Sequence, residues 1–177
     1  MAYWDYPTQG TGSHTYTPVC GDSDQPCYGT PTYPAQTVNF GATTYDWENM
    51  VDRIDASSPV EQIDAIATLS YHCGVAVDMM YEHHGDGSGA YSEDVVDAIK
   101  NYFGYASTTI TRYNQTPAAE WDAMLYESFD RAVPVYYAGS SDTGGHAFVC
   151  DGYDENGLFH FNFGWGGSSD GYFTAAA

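Results

Sequence analysis

An α+β fold, helices first and an antiparallel sheet second, is what this sequence predicts, and three observations carry that prediction. Between Tyr45 and Arg131 apolar residues recur at helical spacing. From Val133 onward the period switches to two, with glycine-rich turns between short runs. No internal repeat and no linker divides the 177 residues. One domain is therefore expected, with 1–44 an irregular N-terminal segment, 45–131 mainly helical and 132–177 the antiparallel sheet.

Residues 7 to 44 are dominated by Pro, Gly, Thr, Ser and Tyr, with a short strand expected at Gln36–Phe40. Tyr45–Ile54 reads as one short helix. Ser57-Ser58-Pro59-Val60-Glu61 offers a serine cap with proline and glutamate in the first turn of the next. Its buried face is expected to hold Val60, Ile63, Ile66 or Ala67, Leu69 and Cys73, and Gly74 is expected to loosen or end it. A glycine-rich loop, 82–90, leads to a helix starting at Ser92, which carries Val95, Val96, Ile99 and Phe103 inward and stops at Gly104. A third helix is predicted over Pro117–Arg131, with Trp121, Met124, Leu125 and Phe129 as its buried stripe. Strands follow at Pro134–Ala138, His146–Asp151, Leu158–Phe163 and Tyr172–Thr174.

Composition excludes several functions. The chain carries 24 Asp and Glu against 4 Lys and Arg, a net charge of -20. Basic residues so few and scattered cannot neutralise a run of phosphates, and anionic membrane surfaces repel such a chain, so neither nucleic acid nor membrane is an expected partner. No apolar stretch is long enough to span a bilayer, and the start, MAYWDYPTQG, lacks the basic and apolar regions of a signal peptide. Cys20 and Cys27 flank a turn-rich loop. They could form a disulfide, bind zinc with His14, or be ordinary loop thiols. His83-His84 beside Asp86 reads as a solvated pair, and neither metal nor cofactor is expected.

The most informative segment is Gly144-Gly145-His146-Ala147-Phe148-Val149, followed by Asn162-Phe163-Gly164-Trp165-Gly166-Gly167. A histidine heading an apolar strand after two glycines is reachable from solvent, with a backbone that a ligand can approach. An asparagine on the next strand could hold one ring nitrogen, which is the orienting task of a Cys-His-Asn arrangement. Register decides this. A two-residue Asn156-Gly157 turn would set Asn162 opposite Asp151, roughly 16 Å along the strand from His146. A wider loop centred on Asp154 would set Asn162 opposite His146. The wide loop is the prediction, and the catalytic reading is staked on it: the two side chains should share a face, and their lying on opposite faces or far apart along the sheet would end that reading.

The segment GGHAFVCDGYDENGLFHFNFGWGGSSDGYF resembles the histidine–asparagine region of streptopain-type, papain-like bacterial cysteine peptidases. Leu69–Tyr81, Gly87-Ser88-Gly89, Asn101–Tyr105, Trp121, Val133–Tyr137 and Met1–Pro7 resemble further parts of that family, in order along the chain. The resemblance implies a papain-like α+β fold whose helical and sheet parts meet at a cleft. It also implies a reaction in which a cysteine thiolate attacks a peptide carbonyl, with His146 as its partner, Asn162 orienting the ring and Trp165 shielding it. Ser88 and the Gly145 backbone would contact substrate. One departure is Phe163, where the family has tryptophan. The other is the nucleophile, which the family carries upstream of the position matching Met1. None of Cys20, Cys27, Cys73 and Cys150 replaces it convincingly. The resemblance therefore implies a chain cut at both ends, and a secreted or extracellular peptidase. Its partners would be a peptide or protein substrate and its own N-terminal segment or pro-segment. The alternative is a non-catalytic relative that binds peptides.

Overall fold

Pro59 sets where the first long helix begins. Its fixed φ of -54° and extended ψ make it the cap, and its carbonyl accepts from Gln62 and Ile63. The serines expected as caps are engaged one turn earlier: the Asp55 carboxylate accepts from the backbone and hydroxyl of Ser57, and the Asp55 N–H donates to the Ser58 hydroxyl. Residues 1–18, 34–81, 87–106, 108–142 and 144–175 are described by the structure, a computed structural model. They fall into two compact units, Met1–Ile110 and Thr111–Ala177. Among the described residues no helix is long and apolar enough to cross a membrane.

In the first unit, β1 (His14–Tyr16) pairs antiparallel with β2 (Gln36–Val38) beside helices α1 (Val60–Ala76) and α2 (Ser92–Asn101). The helix expected over 45–54 is one turn of 3₁₀ helix, Trp47–Asn49. Asp46 and Asn49 bond each other's side chains and the Trp47 indole donates to the Pro7 carbonyl, so local polar bonds compete with helix extension. The expected stripe of α1 holds in part, with Leu69 and Cys73 packed against the core, but the most buried line differs. It runs through Ala65, His72, Val75 and Ala76, while Val60 is 61% exposed. Gly74 does not end the helix. It sits in the last turn because a Cβ there would meet the Tyr81 hydroxyl at 2.2 Å. Helix α2 follows the prediction more closely, with Ala98 and Phe103 buried and Gly104, at φ 71°, turning the chain away.

Aromatic rings fill this core. Phe40 stacks on Tyr102 at 4.5 Å and meets Phe103 and His72 edge-on. His72 is 8% exposed, with Nδ1 3.0 Å from the Tyr45 hydroxyl. Burial pushes its imidazole below the ordinary value of 6.5. As pH falls below 6.5 the unfolded chain takes up a proton that the folded ring resists. Stability is therefore present above that pH and declines below it, by at most about 1.4 kcal/mol per pH unit. Urea unfolding of this unit between pH 8 and 5 is expected to show the decline, and His72→Gln to flatten it; an equally steep acid limb in that variant would assign the effect elsewhere.

In the second unit, α3 (Ala118–Asp130) packs on a four-stranded antiparallel sheet ordered β3 (Val135–Ser141), β4 (Gly144–Tyr153), β5 (Phe159–Asn162) and β6 (Gly171–Phe173). Leu125 is buried against Cys150, Phe159 and Phe161. Met124, expected in the stripe, is 37% exposed, and Tyr126 packs instead, its ring 4.9 Å from Phe159 and its hydroxyl donating to Gly157.

The β4–β5 register departs from the wide-loop prediction. Tyr153 pairs with Phe159 and Gly152 with His160, Asp151 bulges, and beyond it Cys150 pairs with Phe161 and Val149 with Asn162. The loop spans 154–158. One oxygen of the Asp154 carboxylate accepts from the backbones of Asn156 and Leu158 and the other from the Asn156 amide, fixing the loop without a two-residue turn.

Candidate active site

Alternation along β4 turns His146, Phe148 and Cys150 toward the core face and Ala147 and Val149 outward. His146 lies opposite Gly139 on β3, two residues into the strand. Three aromatic rings of this unit lie near-parallel to the plane of its imidazole. Phe148 lies at 5.9 Å, Phe163 at 6.3 Å and Trp165 at 4.6 Å, with interplanar angles of 21°, 18° and 28°. Trp165 is itself 55% exposed, so its indole covers the imidazole from the solvent side.

Asn162 does not face His146. It pairs with Val149, three residues along β4, and so lies on the other face of the sheet. Its side-chain oxygen accepts from the Gly164 N–H at 2.9 Å. What holds the imidazole is the backbone: His146 Nε2 donates to the Phe163 carbonyl at 2.8 Å. A carbonyl oxygen only accepts, so Nε2 carries the hydrogen, and in the neutral ring the lone pair sits on Nδ1. The orienting acceptor was expected on a carboxamide and is found on a peptide. Asn-x-Gly could have signalled this, because asparagine before such a glycine commonly closes a turn on the backbone two residues ahead.

The strand after Asn162 reverses through Gly164, at φ 76°, which brings Trp165 back over the ring; a Cβ there would meet no atom, so conformation and not space demands the glycine. Phe163, the departure noted in the motif, contributes its ring to the stack and its carbonyl to the histidine, neither of which needs an indole nitrogen. Its N–H donates to Asp170 at 2.9 Å, a residue that the sequence alone did not single out.

Gly145 is exposed and lies opposite Ser140. Ser88 belongs to the first unit. It is exposed between Gly87, at φ 76°, and Gly89, whose backbone exchanges hydrogen bonds with Met80. Neither described cysteine has a nucleophile's environment. Burial pushes the Cys73 thiol up to about 11 and the Cys150 thiol up to about 12. Cys20, Cys27, His83, His84 and Asp86 lie outside the described residues. His14 is paired with Asp78 at 2.6 Å, and among the described residues no group of three His, Cys, Asp or Glu could hold a metal.

A family model described as the Peptidase C10 family matches residues 1–173. Streptopain from Streptococcus pyogenes is 35% identical over 180 residues, covering 100% of this chain and 43% of its own length. The thiol protease/hemagglutinin PrtT from Porphyromonas gingivalis is 34% identical over 174 residues, covering 98% of this chain and 19% of its own. The chain thus spans less than half the length of these curated relatives. Among solved structures, the active interpain A cysteine protease from Prevotella intermedia superposes with a TM-score of 0.86 at 34% identity, over 98% of this chain and 70% of that one. Prointerpain A from the same organism gives a TM-score of 0.83 at 38% identity, over 97% of this chain and 52% of that one.

Proposed function

The chain belongs to the Peptidase C10 family, and from that membership we propose that it forms the histidine-bearing part of a cysteine endopeptidase that hydrolyses peptide bonds in proteins. One observation carries the proposal: His146 Nε2 is tied to the Phe163 carbonyl, which leaves Nδ1 for a sulfur. The sulfur is assigned to a cysteine upstream of Met1, as the family resemblance implies, and the high pKa values of the two described thiols, Cys73 and Cys150, agree with that assignment. In the resting pair Nδ1 holds the proton and the cysteine is a thiolate. The thiolate attacks the scissile carbonyl carbon. The C–N bond then breaks, with the Nδ1 proton passing to the departing amine. Nδ1 next takes a proton from water, whose oxygen attacks the thioester; the C–S bond breaks, the acid leaves, and the thiolate with its protonated Nδ1 partner is restored.

Throughout, Nε2–H remains on the Phe163 carbonyl, and Trp165 and Phe163 limit water around the ion pair. In this proposal Asn162 serves the ring indirectly, and Ser88 and the Gly145 backbone contact the substrate. The protein is secreted, and a pro-segment of its own chain is a second partner, as the similarity to prointerpain A supports. Hydrolysis of an unstructured protein by the full-length polypeptide, and its loss in His146→Ala, test the reading. Undiminished hydrolysis in that variant would overturn it, and a wild-type protein that binds peptides without cleaving them would support the non-catalytic alternative.

A further inference from the structure

The Phe163–Gly164 peptide unit is clamped from both sides of its reacting end. Its carbonyl accepts from His146 Nε2 at 2.8 Å, while its N–H, that of Gly164, donates to Asn162 Oδ1 at 2.9 Å. The preceding N–H, that of Phe163, donates to Asp170 Oδ1 at 2.9 Å across a loop of six intervening residues. That loop contains Gly164, Gly166, Gly167 and Ser169 at positive φ, so nothing in its own backbone preference fixes the direction of the Phe163 carbonyl. The two side-chain bonds do.

We propose that Asp170 is a positioning residue for His146: its carboxylate fixes the Phe163 N–H, Asn162 fixes the Gly164 N–H, and together they aim the intervening carbonyl at Nε2. The chain of contacts runs from carboxylate to peptide to imidazole without a side chain touching the ring nitrogen. Orientation of a histidine by partners beyond its first contact is worth about tenfold to a hundredfold where it has been perturbed at metal-bound histidines, and the physical reason, one fixed tautomer and one fixed ring plane, is the same here. The proposal rests on the reading of His146 as the cysteine's partner, but its geometry can be tested without that reaction.

The test uses the full-length protein with ¹⁵N-labelled histidine and three variants, Asp170→Ala, Asp170→Asn and Asn162→Ala. In the wild type at a pH where His146 is neutral, the ring is expected as the Nε2–H tautomer. Asp170→Ala is expected to admit the Nδ1–H tautomer and to lower kcat by about tenfold to a hundredfold with KM changed less than about threefold. Asp170→Asn retains an acceptor oxygen and is expected to restore most of both. An unchanged tautomer and kcat in Asp170→Ala would overturn the proposal, as would a loss of equal size in Asp170→Asn. If thermal unfolding shows Asp170→Ala to be unfolded, Asn162→Ala releases the other bond on the same peptide, and there too an unchanged tautomer would overturn the proposal. A tautomer shift in a protein that never hydrolyses peptides would uphold the positioning and reject the peptidase reading, which keeps the two separable.

Discussion

His146→Ala is expected to lower kcat/KM for peptide hydrolysis by the full-length protein by about a thousandfold or more, equivalent to at least about 4 kcal/mol of lost transition-state stabilisation. Two losses combine. Without an imidazolium beside it the thiol returns toward its ordinary pKa of about 8.5, leaving only a few per cent thiolate at neutral pH. The departing amine also loses its proton donor, and an amide nitrogen is a poor leaving group unprotonated. KM should move little, because the ring makes its interaction with the reacting atoms and not with the rest of the substrate. The fold should survive, since the side chain's one polar bond is to a carbonyl beside solvent-exposed Trp165. Steady-state kinetics on one peptide, with thermal unfolding as control, checks this; a loss smaller than tenfold would remove His146 from the mechanism.

Phe40→Ala is expected to be the most damaging single truncation in the first unit, by about 3–5 kcal/mol. The ring is 0% exposed and touches rings from two directions in sequence: Tyr102 and Phe103 beyond α2, and His72 on α1. The backbone is equally committed, with a Cβ on Gly10 blocked at 2.8 Å by Phe40 itself, so the chain cannot easily collapse into the void. Against a total of about 5–15 kcal/mol for an ordinary domain this is a large share. In urea the midpoint should fall by about 2 M at a slope of about 2 kcal/mol/M. A shift below about 0.5 M would mean that the core rearranges around the gap.

The helices and strands were legible where one face of an element is buried and the period is long enough to show it. Helices α2 and α3 and strands β3 to β6 fall within a few residues of their expected places. Helix α1 was found with part of its stripe, Leu69 and Cys73, but its most buried line includes His72, a residue that periodicity counts as polar. The single turn at 47–49 was overread as a helix because Asp46 and Asn49 bond each other's side chains and the Trp47 indole is tied to the Pro7 carbonyl, local bonds that apolar spacing does not reveal.

At the site, the motif named His146 and Trp165, whose rings lie 4.6 Å apart, and assigned the ring's acceptor to Asn162. A one-residue bulge at Asp151 and a five-residue loop settled a register that neither of the two expected turns describes. The condition set on the sequence, that Asn162 share a face with His146, is not met, so the direct Cys-His-Asn arrangement read from these residues fails and the peptidase reading rests on the family match and on the Phe163 carbonyl. The ring needs a fixed acceptor on Nε2, and a peptide carbonyl supplies one as well as a carboxamide does. Backbone acceptors leave no trace in residue type, which is why Phe163 could not be read for that role.

Alkylation of the upstream cysteine by iodoacetamide, followed against pH in the full-length protein and in its His146→Ala variant, probes the sulfur–imidazole pair itself. The account predicts fast alkylation of the wild type well below pH 8.5, and a profile in the variant that rises only near the ordinary thiol pKa. Identical profiles in the two proteins, both rising near 8.5, would mean that His146 holds no thiolate, and the proposed chemistry would fail.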